Sequence, residues 1–320
     1  MEGENAPLAS FATAAEADRR IAGVAAAARR VRLLSEAGAG LVRLRIGDGA
    51  ALASTTIDDV ERLRGRAVVE IERGAVIAGD PAPSAWAIVR ATAKPGDGLV
   101  SRWLNRPISQ RISALLLRIE GARPIHVTIF NGGLAVVMLA MLLFGGQTGL
   151  LLGAVLFHTA SVLDGVDGEM ARATFRTSAE GATLDSAIDM ATNFLFLIGI
   201  TVNLGIRDRD EIILIGLWGM VLMAIGAVLI ARRNRAGGGA LGFDLLKRWG
   251  PVRGLFDSVY WVVQVLSSRD CFAFLFMALT LVGLERVALS IFSGVANLWI
   301  AWVLVTMIPR PAGARATRDA

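Results

Sequence analysis

The sequence predicts a mainly α fold: a six-transmembrane-helix bundle with a juxtamembrane amphipathic helix and a small N-terminal α/β cytosolic module. Three observations carry this prediction. Hydrophobic residues make up 54% of the 320 residues, and the mean hydropathy of +0.56 is well above that of an ordinary soluble protein. The apolar residues cluster after residue 125, in runs close to the about 20 residues that a helix needs to cross bilayer hydrocarbon. Residues 1–94, by contrast, carry charge throughout and read as water-soluble.

Residues 1–12 read as disordered, and they hold no basic start followed by an apolar run, so no cleavable signal peptide is expected. Glu16 to Glu36 is rich in alanine and arginine and predicts one helix ending near Gly38. Leu41 to Ile46 alternates like a strand, with Gly47-Asp48-Gly49 as a turn. Thr56 to Leu63 predicts a second helix. Ala67 to Glu72 and Ala75 to Ala78, split by Arg73-Gly74, predict a hairpin, and Pro81, Pro83, Pro95 and Gly96 punctuate the end of the module. From Leu99 to Glu120, Leu99, Trp103, Leu104, Ile108, Ile112, Leu115 and Leu116 recur at helical spacing between Arg102, Arg106, Arg111 and Arg118. A helix packed on a soluble neighbour fits that pattern, but its place directly before a span favours the headgroup layer, with Pro107 a kink or a new helix start. Six spans follow, at 126–145, 148–172, 182–205, 211–231, 270–286 and 289–308. The fifth is a little short; the apolar Tyr260 to Leu266 either begins it or forms a helix on the cytosolic side.

The net charge is +5 and the isoelectric point 10.4. Much of that excess flanks the spans, where topology and anionic lipid account for it, so the lipid bilayer and not nucleic acid is the expected partner. Arg102 to Arg123, then Arg172 and Arg176, then Arg232, Arg233, Arg235, Lys247, Arg248 and Arg253, then Arg310, Arg315 and Arg318 alternate with loops of low positive charge. The positive-inside rule then puts both termini and the 172–181 loop in the cytosol of an inner or cytoplasmic membrane protein. Cys271 is the sole cysteine and makes neither an intrachain disulfide nor a cysteine-based metal site. His126 and His158 have no second histidine at i+3 or i+4, so a histidine metal site is not expected.

The chemistry-bearing residues are four aspartates inside apolar sequence: Asp164, Asp167, Asp185 and Asp189. Carboxylates at bilayer depth are expensive and mark a site. At about 100° per residue, Asp164, Asp167, Gly168, Ala171 and Arg172 share one helix face, and Gly181, Asp185 and Asp189 form an i, i+4, i+8 stripe on the next helix. The short loop makes these helices antiparallel neighbours whose stripes can face each other. Convergent carboxylates repel unless cations or protons neutralise them, and oxygen ligands without histidine or cysteine fit two Mg²⁺ or Mn²⁺ ions. Two such ions could clamp a diphosphate. Gly168 and Gly181 leave room for a ligand, although close helix packing explains a lone glycine equally well. Arg172 suits a phosphate, or simply marks the cytosolic end of its helix.

The pattern D-x-x-D-G-x-x-A-R, eight residues, G-x-x-x-D-x-x-x-D resembles the signature of the CDP-alcohol phosphotransferases, also called CDP-alcohol phosphatidyltransferases, at all eight positions. The resemblance covers residues 95–310 and implies a membrane enzyme that releases CMP from a CDP-alcohol donor by attack of an acceptor alcohol, as in phospholipid or polyol-phosphodiester synthesis. It implies Asp164, Asp167 and Asp185 as metal ligands, Asp189 as general base sharing one ion, and Gly168, Ala171, Arg172 and Gly181 as the CDP pocket. The family often opens its first span with Pro-Asn-x-x-Thr; here Pro124-Ile125-His126-Val127-Thr128 lacks the asparagine and keeps Thr128 as a polar contact, with Asn131 one turn further on. Dimerisation is common in the family, which leaves a homodimer open.

Lys94 to Ser109 is similar to the junction in bifunctional inositol-phosphate cytidylyltransferase/di-inositol-phosphate-phosphate synthases. Residues 1–94 are too short for the nucleotidyltransferase domain of those proteins and lack its glycine-rich loop, so they read as a reduced remnant or regulatory cap; residues 311–320 form a basic tail. The similarity points to a polyol-phosphate acceptor, for which Arg269 at the start of span five is the first candidate, followed by Lys247 and Arg248. Asp270 reads as a helix cap. Competing classes are a cation transporter, which predicts carboxylates spread through the membrane depth, and a non-catalytic scaffold, which predicts a broken motif; the sequence meets neither expectation.

Overall fold

The computed structural model describes residues 6–76, 83–94, 96–208, 211–236, 265 and 268–307, and its contacts divide the chain into two compact units. The first comprises residues up to Pro95 with Ile108–His126 and Gly165–Ser178; the second comprises Gly96–Pro107, Val127–Asp164 and the residues from Ala179 onward.

In the first unit, strands β1 (Leu8–Phe11), β4 (Leu41–Ile46) and β5 (Val68–Arg73) form a parallel sheet in the order β1-β4-β5, with Leu44 opposite both Ala9 and Ile71. Alternation explains the strands: Val42, Leu44 and Ile46 are buried while Leu41, Arg43 and Arg45 are not. Helices α2 (Ala26–Glu36) and α3 (Ser54–Leu63) supply the rest of the core, α2 through Ala27, Ala28 and Val31, and α3 through Val60 and Leu63. Three expectations are corrected here. Leu8–Phe11 is ordered as a strand because Ala9 and Phe11 enter the core. The single helix expected over 16–36 is broken into α1 (Ala14–Asp18), a two-residue hairpin of β2 (Arg20–Ile21) and β3 (Val24–Ala25), and α2; left-handed backbone at Ala22 (φ 45°) and Gly23 (φ 78°) turns the chain. The expected hairpin at 67–78 is instead β5 pairing parallel with β4, and 77–78 lie outside the described residues.

Buried Arg29 of α2 reaches across this unit. Its guanidinium donates to the carbonyls of Ile21 (2.7 Å), Ala22 (2.8 Å) and Ala173 (2.6 Å). Burial lowers its pKa to about 10, so it stays cationic at neutral pH. A short helix α4 (Ala85–Ala91) follows, capped by Ser84, whose hydroxyl accepts from the Ala87 N–H.

Helix starts at Leu99, passes through a π-helical turn at Ser101–Asn105, and continues as α5 (Arg106–Leu116). Pro107 has no N–H to donate to Trp103, which accounts for the slipped ladder at that point.

Among the described residues of the second unit five helices have the length and apolar character to cross a membrane: α6 (Pro124–Phe144), α7 (Gly146–Ala173), α8 (Ala179–Asp208), α9 (Ile212–Ala236) and α11 (Glu285–Met307), with the ends of α6 and α7 in the first unit. Where the fifth of six spans was expected, α10 (Arg269–Leu281) has 13 residues and reaches about 20 Å, short of the about 30 Å of hydrocarbon. The core is aromatic: Phe157 stacks on Phe196 at 3.9 Å between ring centroids, and Phe272, Phe276 and Phe292 pack edge-on or tilted around them. Gly216, Gly219 and Gly226 lie on one face of α9, where a side chain would strike Thr201 of α8 and Leu289, Phe292 and Trp299 of α11. Ile129, Phe130, Val136, Val137 and Phe144 of α6 are exposed, as lipid-facing residues would be.

Candidate active site

Asp164 sits on α7, and Asp185 and Asp189 lie one turn apart on α8, so their spacing sets both α8 carboxylates on one face. Each of the three offers one carboxylate oxygen, and these oxygens all lie within 4.8 Å of one another. Opposite them, Arg269 opens α10. Its Nη1 is 2.8 Å from Asp164 Oδ1 and also pairs with Asp189 Oδ1. Three carboxylates meet one guanidinium, so a bound cation or a proton would relieve the repulsion among them. Three convergent oxygens on two rigid helices are a donor set for Mg²⁺ or Mn²⁺, so the residues fit such an ion.

Neighbouring bonds hold these helices in register. Asn131 of α6 donates to the carbonyl of Ala160 (3.2 Å), one turn before Asp164, so this residue supports the α7 backbone. Thr128, one turn earlier on α6, is buried. Asp270 accepts a 2.6 Å bond from the Ser101 N–H, and a side chain on Gly98 would collide with its carboxylate. The residue thus caps a helix, as expected, but it is the helix before α5 and not its own.

The remaining motif residues lie in the first unit, with the exception of Gly181, which is exposed on α8. Asp167 is buried and follows one turn after Asp164 along α7, outside the group of three oxygens. Arg172 donates from Nε to the Thr92 carbonyl at 2.8 Å, and its guanidinium lies over Gly168, where a Cβ would come within 3.1 Å of Nη1. Ala171 is half-buried beside it. Lys247 and Arg248 lie outside the described residues.

Two features were missed in the sequence. Arg269 was expected at a phosphate, not in ion pairs with Asp164 and Asp189; nothing local links residues so far apart. Glu169, at a variable position inside the motif, is fully buried and accepts from the hydroxyls of Ser109 (2.7 Å) and Ser113 (2.6 Å). The one available signal was the i, i+4 serine pair on α5.

A bifunctional IPC transferase and DIPP synthase of Thermococcus kodakarensis is 31% identical over 217 residues, 64% of this chain and 46% of that protein. The protein of the same name from Aquifex aeolicus is 29% identical over 198 residues, 62% of this chain and 44% of its own length. The chain thus spans less than half the length of these curated relatives. The sequence profile of the CDP-alcohol phosphatidyltransferases, transferases of phosphate-containing groups, matches residues 122–307, which hold every motif aspartate. The chain therefore belongs to the CDP-alcohol phosphatidyltransferase family.

Proposed function

We propose that the protein is an integral membrane CDP-alcohol phosphotransferase. The acceptor hydroxyl oxygen bonds to the phosphorus that carries the donor alcohol, the bond from that phosphorus to the CMP phosphate breaks, and CMP leaves. The hydroxyl proton passes to Asp189, which acts as general base one turn beyond Asp185. Asp164, Asp167 and Asp185 would hold two Mg²⁺ or Mn²⁺ ions, with Asp189 sharing one. When bound, these ions neutralise the diphosphate and stabilise the leaving phosphate. Gly168, Ala171, Arg172, Gly181 and Thr128 shape the CDP pocket. Phosphoryl transfer asks for positioning and charge neutralisation, which rigid helices with fixed carboxylates supply.

The observation that carries this reading is the convergence of Asp164, Asp185 and Asp189 in a region matched to the family. The names of the relatives and the Lys94 to Ser109 junction favour a polyol-phosphate acceptor and a CDP-polyol donor over CDP-diacylglycerol. Arg269, already held against Asp189, is suited to receive the acceptor phosphate beside the base, with Lys247 and Arg248 as further cations. The charge bias of the loops supports a cytosolic site, cytosolic termini and Arg269–Leu281 as part of the fifth of six spans. Residues 95–310 form the membrane domain, residues 1–94 a cytosolic module and residues 311–320 a tail. The test is CMP release by purified protein offered CDP-inositol or CDP-diacylglycerol with inositol phosphate, glycerol phosphate or serine. CMP release with no pairing would reject the substrates named here; no CMP release from any CDP-alcohol would reject the reaction.

A further inference from the structure

The last turn of α7 ends in a Schellman arrangement: the Arg176 N–H bonds the Ala171 carbonyl at 2.8 Å, and Phe175 occupies the left-handed position that glycine usually fills (φ 54°). Its ring is used. Arg29 and Arg32 of α2 lie 5.4 and 5.8 Å from the ring centroid, and the ring packs on the core of the α/β module. Arg29 also donates to the Ala173 carbonyl, and Arg62 of α3 to the Thr174 carbonyl (3.1 Å), so two cations satisfy acceptors at the negative end of the helix. The fit is close: a Cβ on Gly23 would come within 3.1 Å of the Thr174 side chain and 3.2 Å of that of Leu117, tighter than ordinary contact. Among the described residues, the two non-glycine positions with positive φ, Ala22 and Phe175, both belong to this contact, one on each side. Backbone strain of that kind persists where surrounding structure over-determines it.

We infer that residues 1–94 act as a positioning clamp for the catalytic motif, in which Arg29 and Arg32 grip Phe175 and the end of α7 and so fix the placement of Asp167, Gly168 and Arg172. The inference rests on reading those three residues as part of the CDP-alcohol site. It gives the module a role that needs no nucleotidyltransfer chemistry of its own. Arg29, Arg32 and Phe175 are positioning residues, each acting through the helix end and not on substrate.

The test uses the full chain in lipid nanodiscs and Phe175→Gly, which keeps the left-handed cap and deletes the ring. A purely structural cap would be untouched or improved by glycine. The clamp instead predicts faster hydrogen exchange at the amides of residues 166–174, with those of 150–160 unchanged. It also predicts a CDP-alcohol KM raised on the order of tenfold, an acceptor KM unchanged, and a thermal midpoint no lower than wild type. Phe175→Tyr, which restores the ring, returns exchange and donor KM to wild type, and Arg29→Ala reproduces the faster exchange and raised donor KM, with a lower thermal midpoint because three buried carbonyls lose their donor. Wild-type exchange in Phe175→Gly would overturn the inference, and so would faster exchange with an unchanged donor KM. Failure of the wild type to release CMP would instead reject the functional reading, and exchange would then judge the clamp alone.

Discussion

Asp164, Asp185 and Asp189 face one guanidinium, and the roles proposed for them separate by substitution. Asp189→Asn keeps the shape of the side chain and removes the base, so CMP release should fall by about 10²- to 10⁴-fold at saturating Mg²⁺. Asp164→Asn removes a ligand and a partner of Arg269; it should raise the Mg²⁺ concentration for half-maximal CMP release, read by metal titration after chelation. A metal requirement equal to that of the wild type would reject the ligand role. Arg269→Gln should raise the KM for a phosphorylated acceptor more than that for the CDP-alcohol, because the lost cation faces only one of the two substrates in this reading. The eight motif residues were legible because their spacing is local, on two consecutive helices joined by a short loop. The pairing of Arg269 was not, since a contact across that sequence distance leaves no periodic trace.

Elements were legible in proportion to how far local pattern decides them. β4 and α3 follow from alternation and from an i, i+3, i+4, i+7 stripe, and both form where expected. The break at Ala22-Gly23 was masked by alanine and arginine, strong helix formers on either side of one glycine. The partner of β5 is set by tertiary register, so the adjacent apolar run suggested a hairpin, whereas among the described residues β5 pairs parallel with β4. α5 was read as amphipathic, yet its polar residues are not all solvent-facing: Ser109 and Ser113 are buried against Glu169 of α7. Because a buried carboxylate needs its donors, Ser113→Ala should destabilise this part of the fold by about 1–3 kcal/mol, measured by the thermal midpoint in detergent. A midpoint equal to wild type would show that the bond contributes nothing.

At the scale of the whole molecule, family membership and five apolar helices among the described residues describe an integral membrane protein, and the reading proposed above has its site open where the positively charged loops lie. Ser178→Cys in a Cys271→Ser background should react with an impermeant maleimide from the cytosolic face alone; labelling from the opposite face would invert the topology. The apolar spans were legible from composition, and the fifth was already read as a little short; the ends of α10 were less legible, because an apolar run does not reveal where its helix begins and ends. The claim on which the rest depends is that this chain catalyses transfer with its own aspartates. The most direct measurement is Mg²⁺-dependent CMP release from CDP-inositol and inositol phosphate by the purified full chain, beside Asp189→Asn in the same lipid. The account predicts release that stops on chelation, returns with Mg²⁺ and is nearly absent in the variant. Equal rates in the two proteins, or release indifferent to chelation, would contradict it.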